Sequence, residues 1–507
     1  MHSTLPVAQP AAAEQPRRPV WIASATAPAP LTPLALLTAG YHPFAGDAGL
    51  YVAGIRHILH RNLYPLNAAF PAAFTRLSVF PWILAGIVRL SHLPISWILL
   101  AAHLTSLFLF LTACRQLAVR LFPSESARWI STLLAALCTG LPVAGTALVL
   151  MDPYVTARSF STPLAILAVA TALDRAWGRT ALLLTAAVLL HPLMGALAAA
   201  FVVLQICISA RRTRLALALC LAACAVSSLL FAAAHRTPIS GAYRQAVLLP
   251  AHSFLFLGRW QWYEILGLAL PLILFGFALR KLDRRSSQFT LCLTSVLLGA
   301  TATLIAATCV PPAGPYPLVP FQVLRSFVLV YAAGLALMGG VLDAFRKRAP
   351  LSAALIMIAV FAGMFAAQSV TWVGCGLIEW PGVAPKNPWQ QTFLWIRANT
   401  PPSAVFAFDP QLVYLPLEDE QGFRAIAERD HLADDKDAGV AAVLPSLADR
   451  WARQRNPEAV VDQMTDAERL TTLPPLGANW LLLPHGTATR LPCPYRNSVA
   501  QICRLTP

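Results

Sequence analysis

Apolar residues in this chain come in long runs, near 21–40, 95–114, 129–150, 159–173, 180–209, 215–233, 263–279, 288–309, 321–342 and 351–372. A stretch of about 20 apolar residues is what an α-helix needs to cross a bilayer. Short basic clusters punctuate the runs: Arg17/Arg18, Arg115/Arg120/Arg128, Arg175/Arg179, Arg211/Arg212/Arg214, Arg280/Lys281/Arg284/Arg285 and Arg346/Lys347/Arg348. Lys and Arg gather on the cytoplasmic side of membrane proteins, so placing all six clusters there fixes a topology. The stretch 180–209 then begins and ends inside, although it is short for two crossings. Proline removes a backbone donor and bends a helix, so two short helices are expected to meet at His191-Pro192. The count becomes about eleven transmembrane helices, with the N-terminus cytoplasmic and the C-terminus outside. Trp97 and the Trp260/Trp262/Tyr263 group fall at outer boundaries, where amphipathic aromatic rings belong.

Outside the runs the pattern changes. Residues 1–19 are polar and rich in Pro and Ala, and read as a disordered cytoplasmic N-terminus. Pro28, Pro30 and Pro33 interrupt the first run, for which a cleaved signal peptide is the alternative reading. A transmembrane domain then covers 20–372, with a long first outer loop at 41–94. Within that loop 48–62 reads as a surface helix, with Tyr51, Ile55, Ile58 and Leu59 on one face and Arg56, His57, His60 and Arg61 on the other. The segment 72–92 is expected to lie along the membrane. Residues 373–507 have ordinary composition and read as a small extracytoplasmic α/β domain: helices at 388–398 and 447–455, short strands at 405–408 and 480–483, and a terminal hairpin turning at Asn497. Cys493 and Cys503 flank that hairpin. In an oxidising compartment they are disulfide candidates, a free pair being the alternative. The fold class is therefore a mainly α polytopic membrane protein with a small C-terminal α/β domain.

Composition agrees. Of 507 residues 57% are hydrophobic and 12% charged, with mean hydropathy +0.61, where a soluble domain carries about a quarter charged residues. A cytosolic globular enzyme is excluded. The net charge of +15 is uneven: residues 1–372 hold 26 Lys/Arg against 8 Asp/Glu, and 373–507 hold 12 against 15. Because the basic residues sit between apolar runs, they orient helices, and no nucleic acid partner is expected.

Carboxylates are the scarce resource, and their positions are informative. Five of the eight in the membrane part (Glu14, Glu125, Asp174, Asp283, Asp343) fall among cytoplasmic Lys and Arg. The outer three are Asp47 in GDAGLY, Asp152 in DPYVTARSF and Glu264. Asp47 and Asp152, on consecutive outer loops, are the candidate catalytic pair facing one cavity. His42, Tyr51, Arg56, Arg158, His191 and Arg325 are the candidate substrate-binding residues around it. Each has a plain structural reading too: a helix cap for Asp47, a turn for Asp152-Pro153, a helix entry for Glu264, a satisfied interior histidine for His191, a boundary residue for Arg325. No cofactor is expected; a divalent metal on Asp47, Asp152 and His191 is the alternative, which no tight ligand spacing supports.

GDAGLY, DPYVTARSFSTPL, HPLMG and the tail segments WIRANTPPSAVF and GFRAIAER, with this order of parts, resemble the C-type (GT-C-like) superfamily of integral membrane glycosyltransferases. They also resemble uncharacterised bacterial membrane proteins of the same layout. The resemblance implies a bacterial inner-membrane enzyme that transfers a hexosyl or pentosyl group from a polyprenyl-phosphate-linked donor, with membrane lipids as surroundings and an unspecified acceptor. It places the catalytic role on Asp47. The chain departs from the pattern: its first loop has one acid instead of a pair, and the tail lacks the Trp-Trp-Asp-Tyr-Gly signature of oligosaccharyltransferases, so protein N-glycosylation is not expected. Arg325 or Arg158 is assigned to the donor phosphate, Asp47 to the acceptor proton, and Asp152 to orientation. A lipid or solute transporter or flippase, or a non-catalytic scaffold, is the alternative function.

Overall fold

A computed structural model describes residues 28–415 and 422–505. Residues 1–19, the first part of the 21–40 run, Glu14 and Arg17/Arg18 lie outside the described residues. The chain begins with α1 (Thr32–Ala39), followed in the first loop by α2 (Asp47–Leu59), α3 (Ala69–Leu77) and α4 (Phe80–Ser91). The bundle continues with α5 (Ile95–Leu121), α6 (Glu125–Leu137), α7 (Ala157–Leu173), α8 (Trp177–Leu190), α9 (Pro192–Ser209), α10 (Thr213–Ala234), a short α11 (Gly241–Val247), α12 (Trp262–Leu279), α13 (Ser287–Cys309), α14 (Phe327–Arg348) and α15 (Pro350–Thr371).

This is a polytopic membrane protein. Among the described residues seven helices are long and apolar enough to cross a bilayer, or eight if α3 and α4, bent by 99°, are counted as one. The remaining four of the eleven expected stretches form shorter helices. The 129–150 run is the clearest difference. Its helix, α6, ends at Leu137, and residues 139–151 fold into a tight turn bridged at Pro142 and Val149, with Ala144 and Ala147 at φ 50° and 55°. Gly140, Pro142 and Gly145 stop the helix inside an apolar run. The 180–209 stretch does divide at His191, which has φ −145° and leaves α8 and α9 as separate helices.

Polar contacts gather the basic helix ends at one face. Arg120 bonds Asp174 (Nε–Oδ2 2.7 Å), Arg115 pairs with Glu125, Gln288 donates to the Leu121 carbonyl (2.9 Å), and Asp343 accepts from Ser126 (2.6 Å). The opposite face carries the first loop, the 139–156 turn and the tail. Glu125, Asp174 and Asp343, placed by sequence among Lys and Arg, each pair with one or more of them.

The tail holds α16 (Pro388–Asn399), α17 (Phe423–Ala427), α18 (Asp435–Val443), α19 (Ala448–Glu458) and α20 (Asp466–Thr472), around five short strands: β1 (Val405–Ala407), β2 (Asp430–His431), β3 (Trp480–Pro484), β4 (Tyr495–Arg496) and β5 (Ala500–Arg504). Their order is β2-β1-β3-β5-β4, with β2 and β3 parallel to β1 and the β4–β5 hairpin antiparallel to β3. Asn497 closes the hairpin by accepting from the Val499 and Ala500 amides, and a disulfide joins Cys493 to Cys503. Phe393, Phe406, Phe408 and Phe423 fill the core between sheet and α16.

The tail is interlocked with the first loop. The Leu66 and Asn67 amides both donate to Asp430 Oδ2 at 2.7 Å, Asn67 Nδ2 donates to the His431 carbonyl, and Tyr64 donates to the Arg424 carbonyl. First-loop residues therefore satisfy the carboxylate of β2, the edge strand.

Candidate functional site

Two loops meet at the start of α2. The His42 amide donates to the Pro153 carbonyl (2.7 Å). Gly46 sits at φ 49° directly under the Tyr154 ring, where a Cβ would lie 2.6 Å from the phenol oxygen. Glycine alone suits both the left-handed backbone and the close approach. Next in sequence, Asp47 is the first residue of α2, after Gly46 as the cap, and its side chain makes no capping hydrogen bond. It is exposed, with neither an ion pair nor a hydrogen bond to its carboxylate.

Asp152 is different. It is only 4% exposed and is held by Arg158, 5% exposed, whose other nitrogen donates to the Val149 carbonyl at 3.1 Å. Burial raises the Asp152 carboxyl above its ordinary range, Arg158 opposes this, and the charges of Asp47 and Arg325 also bear on it. Arg325 lies in the turn before α14, over the Phe254 ring at 5.9 Å. Its Nε is buried without a partner, as is Gln322 Oε1, and both residues line a small cavity with Thr146 and Phe254. The turn is sharp, with Gln322 at φ 38°.

Tyr51 and His191 complete the group. Tyr51 is buried against Phe74 and Phe80 at 4.8 and 5.7 Å, and burial raises its hydroxyl pKa, with Asp47, Asp152, Arg158 and Arg325 all in electrostatic reach. His191 occupies the break between α8 and α9, where its Nδ1 accepts from the Met194 amide (3.4 Å), and it senses Arg325, Arg158 and Asp47. The bend between α3 and α4 docks at the same place: Ser78 donates to the Leu190 carbonyl, and the Val79 amide to the Leu189 carbonyl.

The structure thus brings Asp47, Tyr51, Asp152, Arg158, His191 and Arg325 into one charged neighbourhood. The side chains of His42 and Arg56 are engaged elsewhere. His42 is fully buried, stacked on Trp372 at 3.6 Å and bonded through Nδ1 to Glu379 (3.0 Å). Arg56 pairs with Glu428 of the tail. Both serve the interlock between loop and tail. Glu264 closes a capping box, accepting from the Gln261 amide at 2.7 Å. Tyr154 and Gln322 belong to the site although sequence reasoning passed over them. Tyr154 stands two residues after Asp152, and Gln322 three before Arg325, which is the signal that was there to use. Among the described residues no group of three or more His, Cys, Asp or Glu is arranged to hold a metal ion.

No protein-family model matches the chain, and no curated protein matches it. Two solved structures are similar to it over 92% of its length. One is the archaeal oligosaccharyltransferase AglB from Archaeoglobus fulgidus in complex with an inhibitory peptide and a dolichol-phosphate, at TM-score 0.49, 12% identity and 69% of that chain. The other is the Archaeoglobus fulgidus oligosaccharyltransferase in the apo form, at TM-score 0.48, 13% identity and 70% of that chain. Likeness of this degree carries no chemistry from one chain to the other.

Proposed function

We propose that the chain is an integral membrane glycosyltransferase that moves a sugar from a polyprenyl-phosphate-linked donor to an acceptor hydroxyl at the outer face of the membrane. One observation carries this reading. Asp152 is neutralised by Arg158, while in the same neighbourhood a carboxylate (Asp47) and a guanidinium (Arg325) have no hydrogen-bond or ion-pair partner among the described residues. Sugar transfer from a lipid phosphate needs both groups: a base for the acceptor proton and a cation for the leaving phosphate.

In the step that fits, the acceptor oxygen bonds to the anomeric carbon on the face opposite the phosphate, and the carbon–oxygen bond to the phosphate breaks. The electron pair stays on the lipid phosphate, and the acceptor proton passes to Asp47. The result is inversion. Arg325 is always charged and can hold phosphate oxygens through two N–H groups at once. The Asp152–Arg158 pair fixes the loop that shapes the acceptor side, and Tyr51 and His191 line the space between. Asp47 and the tail belong on the outer side in this reading, with the basic helix ends in the cytoplasm of a bacterial inner-membrane protein.

The test is release of polyprenyl phosphate from a radiolabelled polyprenyl-phosphate sugar by the purified full-length chain, with a membrane extract as source of acceptor. General-base removal typically costs about 10² to 10⁴ in rate, so Asp47→Asn is expected to lose turnover in that range. Full turnover in Asp47→Asn overturns the assignment. Donor movement between compartments without donor consumption indicates a transporter instead.

A further inference from the structure

A cavity much larger than the one beside Arg325 lies away from this site. It is a groove of about 1140 Å³ along α14, lined by Leu274, Ala278 and Leu282 from α12 and its following turn, and by Gly334, Met338 and Val341 from α14. It runs from Val330 to Arg348, about 27 Å at 1.5 Å per residue. Ordinary small-molecule pockets are roughly 300–1,000 Å³, and this one is larger, open along its side and apolar for most of its length.

Its far end is charged. Lys347 and Arg348 form part of the lining, and both are exposed. The α12–α13 turn, whose Leu282 also lines the groove, adds exposed Lys281, Arg284 and Arg285. The last turns of α14 and the α12–α13 turn carry two acids of their own. Asp343 is buried and already accepts from Ser126, Arg346 and Lys347, and Asp283 accepts from the Arg285 amide. The bond from Lys347 to Asp343 uses one of three ammonium donors and leaves two. Basic residues at a helix end suit the helix dipole and the sidedness of the membrane, but neither purpose requires a groove beside them. An apolar channel that ends in an excess of cations over acids has the two-part chemistry of an anionic phospholipid, and basic pockets between membrane helices bind acidic headgroups.

We propose that this groove holds one anionic phospholipid from the leaflet that meets the basic face, with its acyl chains along α12 and α14 and its headgroup phosphate on Lys347 and Arg348. The site is separate from Asp47 and stands whether or not the chain transfers sugar.

The experiment is native mass spectrometry of the full chain exchanged into micelles with equal phosphatidylglycerol and phosphatidylcholine. One phosphatidylglycerol is expected to stay bound in preference to phosphatidylcholine. A cation near a headgroup is worth roughly a 5-fold change in binding, so the double variant Lys347→Gln/Arg348→Gln should weaken retention on the order of 30-fold. Ala344→Trp keeps every charge and fills the groove, and should also release the lipid. The two variants act by different means, so a folding defect in one leaves the other to decide. Equal retention of both lipids by the native chain, or undiminished phosphatidylglycerol on both variants, overturns the proposal.

Discussion

Asp47 and Asp152 are the same residue type in adjacent loops, yet they are bound to fail differently. Removing the Asp152 carboxylate leaves Arg158 buried and unpaired, and breaking a buried pair from one side costs about 3–5 kcal/mol. Asp152→Ala is therefore expected to lower the thermal midpoint strongly, whereas Asp47→Asn, exposed and without a partner, leaves it within about 0.5 kcal/mol of the native chain. Differential scanning fluorimetry in detergent separates the two, and equal melting of both variants would contradict this division. A second residue-level prediction concerns the tail. Burial, with the nearby charge of Asp437, pushes the Asp434 carboxyl up to about 8, and burial holds Glu458 well above its ordinary range. An acid with a raised folded pKa contributes stability in acid and loses it as pH climbs through that pKa. Burial holds His431 and His252 low, which works the other way, but only below about pH 6.5, where an unfolded histidine takes up a proton. From pH 6.5 to 8 the carboxyls act alone, so the tail's unfolding midpoint should fall across that window. A midpoint that rises there would show that these groups do not control it. Asp47 and Asp152 stand out in the sequence because acids are rare in a membrane domain, and Arg325 because it falls at the end of an apolar run. The contacts of His42 with Glu379 and of Arg56 with Glu428 span more than 330 positions of chain and leave no local pattern to read.

At the scale of elements, backbone contact sets where α2 begins. Gly46 meets Tyr154, and Gly49 meets the Phe44 carbonyl and the Gly422 Cα at 3.1 and 3.2 Å from a would-be Cβ. The tail therefore lies against the first turn of α2 with no side chain between them, and Asp47 sits between two close approaches, one that only glycine permits at Gly46 and one that would leave a Cβ tight at Gly49. Gly46→Ala combines a strained φ with an overlap on Tyr154 and should cost about 1–3 kcal/mol while displacing the Asp47 turn. Its turnover should drop more than its stability alone explains, when compared with an equally destabilised core variant. Turnover that merely tracks stability would place the turn outside the chemistry. The break at His191-Pro192 was readable because proline announces it, and the helices at 388–398 and 447–455 because their caps and periodicity are local. The end of α6 was not. The run 129–150 is apolar through both a helix and a tight turn, and hydrophobicity alone does not distinguish them when the turn is buried beneath Trp260.

For the whole molecule, the interlock between loop and tail constrains how often the chain crosses the membrane. Residues 64–67 bond β2 and its surroundings directly, and residues 41 and 378 form a parallel bridge. The first loop and the tail must then lie on one side, and the number of crossings between them must be even. The seven long helices all fall after Ser91, and seven is odd, so length and hydropathy cannot be the whole criterion. The bond from Arg120 to Asp174 puts the turn after α5 and the turn after α7 at one face, which means that α6 and α7 together go out and return. At 13 and 17 residues these helices are about 20 and 26 Å long, short of the roughly 30 Å core; both pack against neighbouring helices within the bundle. Counting α8 with α9 as a second such pair gives ten crossings between loop and tail. The expected labelling follows. With a membrane-impermeant maleimide on intact cells, His60→Cys in the first loop and Lys386→Cys in the tail should both react, while Gly178→Cys, in the first turn of α8, should react only after permeabilisation. Reaction of His60→Cys and Lys386→Cys from opposite sides would break the parity and with it the interlock. Reaction of Gly178→Cys from outside would leave the basic ends facing the wrong compartment for the positive-inside rule.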